Sequence, residues 1–83
     1  MAADDSMIAA FQDRDGLTTL VTLRDGSSLI VYNIAWGYDE GDKWAQLTSN
    51  ISPAVDNASV DFFYTSEVLR LNDAETGGVV FQP

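Results

Sequence analysis

The feature that most constrains this chain is a series of short β-prone segments, which begins at Leu17 and continues almost to the C-terminus. In LTTLVTLR, residues 17–24, the odd-numbered residues lie on one face of a strand. Asp25-Gly26 follows, a pair typical of a hairpin turn. LIVYNIAW, residues 29–36, reads as one long second strand whose apolar run indicates burial on both faces.

Further strand-like segments follow at regular spacing. They are KWAQLTSNI (43–51), VDFFYT (60–65), VLRLN (68–72) and VVFQ (79–82), the last either a short strand or a tail. Turns and loops rich in Gly, Asp and Pro separate them. Short strands with tight connections predict a small, mainly β barrel of five to six bent antiparallel strands.

The N-terminal segment differs, because its apolar residues repeat at helical spacing. Met7, Ile8 and Phe11 form one stripe, which predicts a short helix over about residues 5–13. The 83 residues then read as one domain, with a barrel over about 17–72 and a C-terminal hairpin or tail over 73–83. A core this small leaves little stability to spare, so oligomerisation would add useful burial.

Composition excludes several classes of protein. Without cysteine there is neither a disulfide framework nor a thiolate metal site. No signal-peptide pattern and no apolar run of membrane-spanning length occurs, which predicts a soluble cytoplasmic protein without membrane contact. With no His and no Cys, the usual general base and thiol nucleophile are missing, so we expect no enzyme and no cofactor. Paired carboxylates, such as Asp61 with Glu67, leave a hydrolase as a third hypothesis.

The chain is strongly acidic, with a formal net charge of −9. The four bases, Arg14, Arg24, Lys43 and Arg70, are too few for strong phosphate neutralisation by one subunit. The acidity therefore indicates either simple solubility or imitation of nucleic acid toward a basic protein.

Two motifs carry a resemblance to a known family. LVTLRDGSSLIV, residues 20–31, has a hydrophobic strand, a base, an Asp-Gly turn and a second strand. FYTSEVLRL, residues 63–71, places Phe63, Val68 and Leu71 at a matching hydrophobic spacing. Together these motifs resemble those of the Sm-like (LSm) family, over roughly residues 7–72. The acidic composition resembles a divergent cyanophage type, which would place the protein in the host cytoplasm.

The resemblance implies a ring with a limited RNA site. In the family, Asp, Met and Asn of one loop and Arg-Gly of the second motif hold a uridine. This chain has Gly37, Glu40 and Gly41 in that loop, and Tyr64-Thr65 in place of Arg-Gly. The usual uridine contacts are therefore missing, and at most weak binding of single-stranded RNA is implied.

Ring assembly in the family pairs the fourth strand of one subunit with the fifth strand of the next. Both strands would otherwise leave unpaired backbone groups. Phe62 and Phe63 point to opposite faces, so only one of them can enter the subunit's own core. A neighbouring subunit would cover the phenylalanine side chain that stays outside the core. The candidate interface residues are Val60, Phe62, Phe63, Tyr64, Val68, Leu69 and Leu71.

The stretch 33–47 combines aromatic and acidic residues around a turn. Trp36, Tyr38 and Tyr64 are the candidate ligand surface, since aromatic rings stack on bases. Alternatively, Trp36 and Trp44 form a cross-strand pair that is purely structural.

The acids of that turn, Asp39, Glu40 and Asp42, would form an acidic rim in a ring and favour a basic protein partner over RNA. They lack the spacing of a calcium loop, so we expect a solvated turn and no metal. Arg70 is expected to pair with Glu67 or a neighbour's acid rather than with phosphate. Arg24 is expected to serve the hairpin turn or a subunit contact.

The predicted function is a non-enzymatic Sm-like ring that acts as a binding scaffold, linked to phage or host RNA metabolism. The alternative is an acidic nucleic-acid mimic that inhibits a host nucleic-acid-binding protein. The Asn-x-Ser patterns at Asn50 and Asn57 are interpreted as chance matches to a glycosylation site.

Overall fold

The computed structural model describes residues 5–14, 16–38, 40–51 and 54–82. Within these residues the chain forms one helix, seven strands and one short 3-10 turn (Thr65–Glu67). The regular elements are α1 (Asp5–Asp13), β1 (Thr19–Leu23), β2 (Ser28–Val31), β3 (Ile34–Gly37), β4 (Gln46–Ser49), β5 (Phe62–Tyr64), β6 (Val68–Asp73) and β7 (Val79–Phe81).

The strands form two antiparallel sheets. One has the order β2-β1-β6-β7 and the other the order β3-β4-β5. The prediction of a mainly β domain with a short N-terminal helix is confirmed. Across the described strands the sheets stay open, and their pairing does not close into a barrel.

The predicted long second strand is two strands. β2 pairs with β1 and β3 pairs with β4, and the chain changes sheet at Tyr32 and Asn33. The backbone N–H of Tyr32 donates to Oδ1 of Asn50 at 2.8 Å, and the C=O of Asn33 accepts from the N–H of Asn50 at 2.9 Å. The corner is therefore held by a residue of the loop after β4 and not by continuous strand pairing.

One hydrophobic core lies between the sheets and the helix. Met7, Ile8 and Phe11 of α1 are buried, as their spacing predicts. Phe63 is 2% exposed whereas Phe62 is 59% exposed, so only one of the pair enters the core, as expected for neighbouring strand residues. The core cluster is formed by Met7, Phe11, Val21, Val31, Leu47, Phe63, Val68 and Leu71.

The C-terminal segment forms a strand. β7 pairs with β6 at Leu71 and Asn72, and Val80 and Phe81 pack against the core. Gly77, with φ of +77°, gives the preceding turn a left-handed backbone that suits glycine. This resolves the alternative between a strand and a tail for VVFQ.

In the part of the chain that the structure covers, α1 is far too short to span a bilayer, and no candidate membrane helix occurs.

Candidate functional site

The structure brings two of the three candidate ligand residues together. The ring centroids of Trp36 and Tyr38 lie 6.1 Å apart with an interplanar angle of 89°, an edge-to-face contact. Both side chains are more than one third exposed. Trp36 lies in β3 and Tyr38 directly follows the strand, and the contact between their rings places both on the same side of the sheet.

Tyr64 lies on the opposite face of this sheet. It aligns with Gln46 in β4, whereas Phe63 aligns with Leu47, which in turn aligns with Trp36. Trp36 therefore shares a face with Phe63, and Tyr64 does not. Instead, Tyr64 makes an edge-to-face contact with Phe62, with ring centroids 5.6 Å apart. The three predicted ligand residues thus belong to two separate aromatic pairs, Trp36 with Tyr38 and Tyr64 with Phe62.

The alternative cross-strand pair of Trp36 with Trp44 does not form. The strand partner of Trp36 is Leu47, and its ring contact is with Tyr38. Trp44 precedes β4 and is 38% exposed.

The acidic turn is partly engaged within the chain. Asp42 accepts a hydrogen bond from Nε2 of Gln46 at 3.0 Å, and Glu40 is exposed. Asp39 lies outside the described residues. No group of three acidic side chains suited to a metal ion occurs in the described ranges.

β5 is one of the two edge strands of its sheet, and β3 is the other. The N–H of Ser49 donates to the C=O of Asp61, and the N–H of Thr65 donates to the C=O of Ala45. This alternation directs the backbone groups of Phe63 toward β4 and those of Phe62 and Tyr64 away from it.

One of these outward groups is satisfied within the chain. Oε2 of Glu67 accepts from the N–H of Tyr64 at 2.8 Å. The N–H and C=O of Phe62 have no partner in the described part of the chain. Val60 and Phe62, each 59% exposed, share the outer face with half-buried Tyr64 and form an apolar stripe.

The remaining candidate interface residues divide differently. Phe63, Val68 and Leu71 are buried in the chain's own core, and Leu69 is half-buried. β7 also covers β6 at Leu71 and Asn72, which leaves Val68–Arg70 as the uncovered part of that edge.

The arginine side chains make contacts that the sequence did not indicate. Nε of Arg70 donates to Oδ1 of Asn72 at 3.0 Å rather than to Glu67, whose carboxylate bonds to Tyr64. Nε of Arg24 donates to the C=O of Ser66 at 3.0 Å, so the hairpin turn is tied to the 3-10 turn.

Arg14 forms a salt bridge with Asp73. Its Nη2 lies 2.9 Å from Oδ2 of Asp73, and its Nε donates to Oγ1 of Thr19 at 2.8 Å. Asp73 also accepts from the N–H groups of Glu75 and Thr76. The Thr76 and Glu75 N–H groups, together with the Arg14 guanidinium, lower the pKa of Asp73 below its ordinary value. These contacts tie the end of α1 to the turn before β7.

Asn50 is the other residue whose role the sequence did not indicate. It is 1% exposed with φ of +64°. Its Nδ2 donates to the C=O groups of Ile30 at 3.1 Å and Ser59 at 2.8 Å, while Oδ1 accepts from Tyr32. The amide is therefore fully engaged, and a burial this complete excludes a glycan on Asn50.

No family model, curated protein or solved structure matches this chain. The surface of the described residues offers the exposed pair Trp36 and Tyr38, the pair of exposed Phe62 with half-buried Tyr64, an acidic turn and an uncovered apolar edge.

Proposed function

We propose that this chain is a non-enzymatic, Sm-like scaffold protein that assembles into a closed ring through the outer edge of β5. The observation that carries the proposal is the combination of unpaired backbone groups on Phe62 with the exposed stripe of Val60 and Phe62. An unpaired edge beside exposed apolar side chains favours the addition of another strand.

The acceptor in a neighbouring subunit is the uncovered part of β6, Val68–Arg70. A β5 edge on one subunit and a β6 edge on the next make a head-to-tail contact, which closes into a ring when the rotation between subunits allows it. The chain passes directly from β2 in one sheet to β3 in the other. A single bent segment that contributes to both sheets also supports the Sm-like topology. The small-barrel architecture belongs to this proposal.

The ring would bind rather than catalyse. Repetition of a subunit charge of −9 around a ring disfavours phosphate and favours a basic protein partner. The exposed pair Trp36 and Tyr38 supplies apolar area for such contact and a weak stacking site for single-stranded RNA. A link to phage or host RNA metabolism is part of this proposal.

The test is the native mass of the particle, by light scattering behind a sizing column. Wild type is expected at a multiple of the 9.0 kDa subunit. Val60→Lys should give the monomer, since a charge in the stripe prevents its burial. Val79→Lys is the matched control, because Val79 is 61% exposed on β7, outside the proposed interface. A wild-type monomer at high micromolar concentration, or equal loss in both variants, would contradict the proposal.

A second function is favoured by the acidic turn next to Trp36 and Tyr38. A monomer with this surface would act as an acidic nucleic-acid mimic that inhibits a host nucleic-acid-binding protein. The chain should then compete with nucleic acid for a basic protein. Replacing Asp39, Glu40 and Asp42 by Asn, Gln and Asn should abolish that competition.

A further inference from the structure

A groove of about 380 Å³ runs along the outer edge of β2. One wall is β2 from Ser28 to Ile30, and the opposite wall is the loop segment 57–59. Asp61, just before β5, also lines the groove. The groove lies along β2, whereas the proposed ring assembly uses the edges of β5 and β6. Asp61 lies between the stripe residues Val60 and Phe62 in sequence but lines the groove.

The groove presents unpaired backbone donors and acceptors. The N–H of Leu23 donates to the C=O of Ser27, so in this hairpin the even-numbered residues Ser28 and Ile30 direct their backbone groups away from β1. The C=O of Ile30 is taken by Asn50. The N–H of Ile30 and both groups of Ser28 have no partner within the described ranges.

The side chain of Asn50 bridges the two walls of the groove. Nδ2 of Asn50 donates to the C=O of Ile30 on one wall and to the C=O of Ser59 on the other. Since Asn50 is buried, this bridge does not need to form when a ligand arrives. A preformed site loses less conformational freedom on binding.

The negative charge of Asp61 favours a ligand that carries a basic residue. The half-buried Asp61 has no hydrogen-bond or ion-pair partner for its carboxylate among the described residues, and no base lines the groove. Ile30, 42% exposed, adds apolar surface beside it. Asp61 is the charged side chain among the residues that line the groove, so a partner segment that carries a Lys or Arg is its complement.

We propose that this groove binds an extended peptide of a partner protein as an added strand on β2, with alternating apolar residues and a Lys or Arg that pairs with Asp61. Backbone hydrogen bonds to Ser28 and Ile30 would supply register, and the Asp61 carboxylate would supply preference for a basic residue. The site requires only the folded subunit and does not depend on ring formation.

The probe is a labelled, end-capped hexapeptide of alternating Lys and Val, about 20 Å long when extended. Fluorescence anisotropy should detect binding, and amide chemical shifts should move at Ser28 and Ile30. The same peptide with alternate N-methylated residues lacks half of its backbone donors, so it should bind about tenfold more weakly. Retention of full affinity by the N-methylated peptide would overturn strand addition.

Two variants test the residues. Asp61→Asn should weaken binding about fivefold, whereas Asp13→Asn, which removes the same charge from α1, should leave it unchanged. Ser28→Pro removes an outward N–H without removing a β1 bond, and it should also weaken binding. Thermal melts of each variant confirm that the fold remains.

Equal effects of Asp61→Asn and Asp13→Asn would show only diffuse electrostatics and overturn the site. Shifts at Ser28 that follow protein concentration without peptide, with a doubled mass, would assign the groove to a second copy and overturn the proposal.

Discussion

Strand pairing leaves some backbone groups free both at the corner near Asn50 and at the outer edge of β5. Within the described residues, those at the corner are satisfied, whereas some of those at β5 are not. At the corner, one buried amide satisfies groups from β2, from the bend after it and from the loop near Ser59. At β5, the backbone groups of Phe62 have no partner within the described ranges, and exposed apolar side chains flank them. The first arrangement stabilises the subunit, and the second is an arrangement that another strand can complete.

The edge of β6 lies between these extremes. β7 covers part of it, while Val68–Arg70 stays uncovered. The Arg14–Asp73 pair holds the turn that positions β7. The three regions differ in what completes the backbone hydrogen bonding: the Asn50 side chain at the corner, β7 at part of β6, and, in the proposed ring, a neighbouring subunit at β5.

The largest effect on stability is expected at the corner. Asn50→Gly removes three side-chain hydrogen bonds but keeps a residue suited to positive φ, and it should cost about 3 kcal/mol in the free energy of unfolding. Asn57→Gly is the matched control, because Asn57 is exposed with the same φ of +64°. It should change stability by a few tenths of a kcal/mol. Urea unfolding of both variants measures the difference. Similar stability of the two would show that the buried network does not hold the corner.

A smaller effect on stability is expected from a substitution in β7 that weakens its packing over β6. Val80→Asp places a charge against the core and should destabilise the subunit by about 2 kcal/mol. Val79→Asp, at the exposed neighbouring position, should be nearly neutral. Thermal unfolding of the pair measures how much β7 contributes. If both variants have the same melting temperature as wild type, β7 does not stabilise the sheet.

The smallest effect is expected at Asp73. Because its pKa is lowered in the folded state, its contribution is present above the ordinary carboxyl pKa and is lost as pH falls through the folded value. Asp73→Asn should therefore lower the melting temperature at pH 7, and the difference from wild type should shrink below about pH 4. Glu75→Gln removes one charge from the same turn as a control. A difference that is constant from pH 7 to pH 3 would exclude the ionised Asp73 as its source.

Local patterns predicted much of this fold. The helical stripe over 5–13, the Asp25-Gly26 turn and the opposite orientations of Phe62 and Phe63 follow from periodicities of 3.6 and 2, which depend on near neighbours alone. The contacts that were missed join distant residues. Arg14 and Asp73 are 59 positions apart, and Asn50 lies 18 and 20 positions from its partners Tyr32 and Ile30.

The candidate site was less predictable for the same reason. Spacing within a strand indicates that Trp36 and Tyr38 share a face, but the register with β4 decides that Tyr64 lies on the other side. An asparagine after a strand is also typical of an ordinary turn. Nothing in its neighbours indicated that Asn50 would be buried.

Amide hydrogen exchange at Phe62 in the native particle tests the central claim most directly. The N–H of Phe63 points toward β4 and is the internal reference, while the N–H of Phe62 points away from it. If β5 pairs with a neighbouring subunit, Phe62 should be protected nearly as well as Phe63 in wild type and should lose that protection in Val60→Lys. Exchange of Phe62 at the rate of an unpaired amide, at concentrations where the particle is intact, would contradict assembly through this edge.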